Sequence, residues 1–117
     1  MTFYKYLILL FFIVTSTYAN YGYEKEIDYL INEISKSNCT FERNKKTYKS
    51  KKVTSHILYK KEYFKDKINT TEEFIKYSAT KSEISGKKYK IKCLDEKEEY
   101  LKNWLLKKLK KYRKDKQ

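Results

Sequence analysis

The chain has 117 residues, with 28 Lys or Arg against 15 Asp or Glu for a formal net charge of +13; it holds two Cys, two Gly, one His and no Pro. At this length one domain is the limit, and Gly22 with Gly86 cannot build a glycine-rich phosphate loop. One His and two Cys cannot complete a four-ligand zinc site without carboxylates, so neither a metal nor another cofactor is expected.

Residues 1–19 have the three parts of a secretory signal peptide: Lys5, the apolar run Tyr6 to Thr15, and small or polar residues ending at Ala19. A bilayer span needs about 20 apolar residues, and this run is roughly half that. Thr17 and Ala19 place a cleavage site before Asn20, which predicts a periplasmic or secreted protein. An uncleaved N-terminal anchor is the alternative. Removing the leader leaves 20–117 as a single small α+β domain with few aliphatic residues, thin for a core of this size.

Along 20–117, Ile27, Leu30, Ile31 and Ile34 recur at helical spacing and predict a helix over about 23–36. Cys39 to Arg43 alternates instead, Asn44-Lys45-Lys46 reads as a turn, and Tyr48 begins a return strand. Ser50 is placed to cap a second helix with Val53, Ile57 and Phe64 on one face and His56 and Lys60 beside it. Thr70-Thr-Glu-Glu73 has capping-box spacing and opens a third helix carrying Phe74, Ile75 and Ser78. Ser82 to Gly86 is a loop, and Tyr89, Ile91 and Cys93 alternate with Lys as a half-buried strand. Asp95 to Glu98 repeats the capping-box spacing before a last helix with Leu101, Trp104, Leu105, Leu109 and Tyr112 on one stripe.

Cys39 and Cys93 are the only thiols. After export a lone pair is most simply a disulfide, closing a loop long enough to restrain the unfolded chain by about 4 kcal/mol. A reactive thiol or a metal ligand is the other reading, although neither Cys belongs to a C-x-x-C pair. With Cys39 opposite Cys93 in an antiparallel pair, Phe41 faces Ile91 and Arg43 faces Tyr89, all on one side. The predicted fold is therefore α+β: about four helices on a small antiparallel sheet of two or three strands.

Several residues invite a functional reading. His56 is the only imidazole and has the one side-chain pKa near neutrality, so it is a candidate base with Ser82 or Ser85 as the partner hydroxyl. The absence of G-x-S-x-G favours a His that merely bonds a backbone carbonyl. Arg43 and Arg113 stand out in a chain whose other basic residues are Lys; each suits a planar contact with an anion or an internal carboxylate. Lys107, Lys108, Lys110 and Lys111 surround the stripe of the last helix. They offer weak attraction to anionic surfaces, or they are a solvated face in a Lys-biased composition.

Ser37-x-Cys39-x-Phe41-x-Arg43-Asn44, Tyr48, His56-Ile57 and Lys60, followed by Thr70-x-Glu72-x-Phe74-Ile75, Ala79 and Ser82-x-x-Ser85-Gly86-x-x-Tyr89-x-Ile91-x-Cys93, form one ordered series. With Trp104-Leu105, Leu109 and Tyr112-Arg113 it resembles a family of small exported bacterial proteins catalogued as a domain of unknown function, number five-three-two-nine. The resemblance implies a signal peptide, an envelope or extracellular location and paired cysteines, and it brings no activity. Lys45 stands where that family usually has Gly, which argues against a tight two-residue hairpin, and Lys88 stands where Pro is common. The reading that results is a non-enzymatic, disulfide-stabilised binding or accessory domain with an unknown envelope partner. Its candidate surface is Arg43, His56, Lys60, Ser82, Ser85 and Arg113. The alternatives are a small hydrolase using His56 with a nearby Ser, or a basic binder of anionic envelope surfaces.

Overall fold

A computed structural model describes residues 22–117. The expected leader, its cleavage site and the alternative anchor lie outside the described residues. Helix α1 occupies 22–36 and is followed by strands β1 (Thr40–Arg43) and β2 (Lys46–Lys49), helix α2 (Ser50–Tyr63) and a 3-10 turn (Lys65–Lys67). Helix α3 (Thr71–Ser78), strands β3 (Lys90–Lys92) and β4 (Glu99–Tyr100), and helix α4 (Leu101–Asp115) complete the order. The mixed α+β class is as expected, with four helices among the described residues. The sheet has four strands rather than two or three, in the order β2-β1-β3-β4.

Every neighbouring pair is antiparallel, and Phe41 lies opposite both Ile91 and Tyr48. This is the register that the alternation and the two cysteines specify. Cys39, just before β1, is bonded to Cys93, just after β3, with Cα atoms 4.2 Å apart. Phe41, Tyr89 and Ile91 turn inward onto a core shared with Ile27, Leu30 and Ile34 of α1, Ile57 of α2, and Phe74 and Ile75 of α3. The α4 stripe closes it through Leu101, Trp104, Leu105 and Leu109. Tyr112 continues that stripe and packs on Tyr29 with ring centroids 4.5 Å apart.

Local expectations fare unevenly. At α3 the Thr70 side chain accepts from the Glu73 N–H at 3.1 Å, as a cap should, while the Glu73 carboxylate accepts from the Asn69 N–H at 3.0 Å. Ser50 is not a cap: it is the first residue of α2, and Lys49 precedes it with no side-chain bond. The β1–β2 connection is a two-residue hairpin despite Lys45, because Asn44 and Lys45 take φ of 52° and 68°. The left-handed backbone here is imposed by the paired strands and not relieved by glycine.

The second capping-box pattern also fails. Asp95 (φ 61°) sits in a turn where the Glu96 N–H reaches the Cys93 carbonyl at 3.1 Å. Glu99 and Tyr100 then pair with Ile91 and Lys90 as β4, and α4 begins only at Leu101. The open edge of β3 carries unpaired backbone groups that need partners, and two residues of strand supply them before the helix starts.

Candidate functional site

His56, Tyr59, Lys60 and Tyr63 fall at i, i+3, i+4 and i+7, so α2 presents them along one face. That face forms one wall of a cleft of about 420 Å³. Arg43 at the end of β1, Tyr89 before β3, Phe64, and Ser82, Glu83 and Ile84 of the following loop complete the lining. The loop is built by its own backbone: the Ser82 N–H reaches Lys87 O and the Gly86 N–H reaches Ser82 O, both at 2.9 Å. Gly86 has φ of +72°, a conformation open to glycine at no steric cost.

Lys60 is the buried cation of the site, only 4% exposed. Its ammonium donates to the Lys81 carbonyl at 2.8 Å, to the Tyr89 hydroxyl at 3.2 Å and to Glu83 at 3.5 Å. These contacts account for its three donors. It also lies 5.1 Å from the centre of the Tyr89 ring. Tyr89 is the polar hub, since its hydroxyl is also 3.1 Å from His56 Nε2. Burial, and then the positive charges of Arg43 and Lys60, hold the His56 pKa below its ordinary value. The imidazole is therefore neutral at pH 7, sharing one hydrogen bond between Nε2 and the phenol while Lys60 donates into the same oxygen.

Among the described residues, Arg43 is the group left without a hydrogen-bond or ion-pair partner. Its Nε is buried and unbonded, and no ion pair reaches its guanidinium among the described residues. Arg43, His56 and Tyr89 also line a second, smaller cavity of about 30 Å³ toward the core, beside Phe41, Val53, Ile57 and Leu101. The three side chains thus line both the larger cleft and the smaller, more apolar cavity.

The sequence-predicted residues separate accordingly. Arg43, His56, Lys60 and Ser82 meet in the cleft, whereas Ser85 and Arg113 are not among its lining residues. Ser85 donates its hydroxyl to Asn44 Oδ1 and accepts from Lys87 N–H, tying the loop to the β1–β2 turn. Ser82 Oγ is buried and accepts from the Ser85 N–H at 3.5 Å. Neither serine bonds His56, whose hydrogen bond goes to Tyr89.

Arg113 clamps three helices, reaching Glu26 of α1 at 2.7 and 3.0 Å and Glu72 of α3 at 2.8 and 3.1 Å. Its fork meets internal carboxylates, and it holds both Glu26 and Glu72 below the usual carboxylate range. On α4, Lys107 pairs with Glu99 at 2.8 Å, and Lys108 lies 3.7 Å from Glu33 and 5.0 Å from the Trp104 ring centre. Lys110 and Lys111 are exposed.

Sequence reasoning missed Tyr59, Tyr63, Glu83, Ile84 and the hub role of Tyr89. The helical spacing of His56 with the two tyrosines was available as a signal; the loop facing them was not. Among the described residues no cluster of His, Cys, Asp and Glu is arranged to hold a metal ion, and no helix is long and apolar enough to cross a membrane. A family model described as "Family of unknown function (DUF5329)" matches residues 22–113. No curated protein and no solved structure matches the chain.

Proposed function

Because the chain belongs to this family of unknown function, we propose that it is an exported, non-enzymatic binding or accessory domain that works in the periplasm through the α2 cleft. The observation that carries this reading is the Cys39–Cys93 bond, which persists in oxidising compartments and is rare in reducing ones. The apolar leader of residues 1–19 supports the same compartment. The cleft supports binding over serine-based hydrolysis, since its imidazole is bonded to the Tyr89 phenol and to neither Ser82 nor Ser85. Attraction of anionic surfaces by Lys110 and Lys111 is secondary on this reading, because Lys107 and Lys108 are already engaged with carboxylates.

The test is mass spectrometry of the protein recovered from the envelope fraction of a bacterial host. The expected species begins at Asn20 and carries Cys39 linked to Cys93. Recovery of the full-length chain from the cytoplasm, or of two free thiols from the envelope, overturns the reading.

A further inference from the structure

We infer that the α2 cleft receives a carboxylate attached to an apolar, ring-sized body, with the carboxylate on Arg43 and the body against Tyr59, Tyr63 and Ile84. This inference rests on the reading of the cleft as a binding surface and names what it binds. Charge is the first argument. The lining holds two cations, Arg43 and Lys60, and one anion, Glu83. A monoanion balances that set, whereas a phosphate dianion exceeds it and meets Glu83.

Donor geometry is the second argument. The ammonium of Lys60 is committed to Lys81, Tyr89 and Glu83, so it contributes field and not a free donor. Arg43 retains its fork: its Nε is buried, and neither terminal nitrogen of its guanidinium bonds or pairs with a described residue. A planar guanidinium matches a carboxylate in two parallel hydrogen bonds.

The third argument is the rim. Tyr59, Tyr63 and Ile84 are 68%, 70% and 89% exposed, although all three line the same cleft. The two tyrosine rings lie 6.4 Å apart and near parallel at 21°, and Phe64 meets Tyr63 edge-on at 4.8 Å. Apolar side chains gathered around a charged floor mark a binding surface. A volume of about 420 Å³ suits one small organic acid or the last residue of a peptide. A free acid and a peptide C-terminus present the same chemistry, and the experiment separates them.

The full chain, purified with its disulfide intact, is titrated by NMR and calorimetry with 3-phenylpropionate, its amide and phenethyl phosphate. A tetrapeptide ending in Phe is added with a free and with an amidated C-terminus. The acid, the free-ended peptide or both should shift resonances of Tyr59, Tyr63 and Ile84, and each amide should bind at least tenfold more weakly. Saturation by the acid points to a free ligand, and saturation by the peptide alone points to a chain end.

Arg43→Lys, checked for an unchanged circular dichroism spectrum and melting temperature, should lose tenfold or more. Tyr59→Ala, at an exposed position, should weaken binding several-fold, and it serves if Arg43→Lys does not fold. Equal binding of acid and amide, tighter binding of the phosphate, or no shift with any probe overturns the inference. None of those outcomes touches export, which the envelope mass spectrum decides separately.

Discussion

His56 lies where partial burial, and then the charges of Arg43 and Lys60, disfavour its protonation. Its folded pKa is therefore below 6.5, its ordinary value, and the unfolded chain takes up that proton first as pH falls. The folded state is at full strength above about pH 6.5 and weakens below it. Urea midpoints measured between pH 7.5 and 5.0 should fall for the wild type and fall less for His56→Gln; identical slopes would refute this assignment. Glu26 and Glu72, held low by Arg113, lose their contribution only below their ordinary 4.5, so the two windows separate. The two arginines diverge for the same reason of surroundings: Arg113 has two carboxylates in its fork, and Arg43 has none among the described residues.

At the scale of elements, the turn between β1 and β2 is the least comfortable join. Lys45 holds a φ of 68°, where a side chain costs about 1 kcal/mol or more relative to glycine. Lys45→Gly should raise stability by about 1 kcal/mol, read as an upward shift of the urea midpoint. A downward shift would mean that the lysine side chain contributes more than its backbone costs. Both edges of the sheet are short, and β2 carries Lys46 and Lys49. Short, charged edges resist pairing with other chains. Helix α3 has only eight residues, too few to persist alone in water; its cap and the burial of Phe74 and Ile75 hold it in place.

At the scale of the whole described chain, the Arg113 clamp and the disulfide tie distant segments together. Arg113 joins α4 to α1 and α3, and the disulfide joins the outer ends of β1 and β3 across a separation of 54 residues. A loop of that length restrains the unfolded chain by about 4 kcal/mol, a large share of the roughly 5–15 kcal/mol of a small domain. Replacing both cysteines, Cys39→Ser with Cys93→Ser, should lower unfolding stability by about that amount in urea. Equal unfolding curves for the reduced and oxidised chain would show that the packed core suffices.

Periodicity in the sequence was enough to define the helical faces of α1, α3 and α4, the inward placement of Phe41, Tyr89 and Ile91, and the strand register, because those depend on spacings of 3.6 and 2 residues and on one covalent constraint. The turn at Asn44-Lys45, the late start of α4 and the strand β4 depended on which backbone groups the finished sheet left unpaired, which no local window contains. The cleft was only half legible for the same reason. Arg43, His56, Lys60 and Ser82 were visible as unusual residues, but the meeting of the first three with Tyr89, Glu83 and Ile84 joins segments from 23 (Lys60 to Glu83) to 46 (Arg43 to Tyr89) positions apart. Tertiary packing alone decided that one arginine is neutralised and the other meets no carboxylate among the described residues, because pairing depends on distances in space that the order of residues does not state.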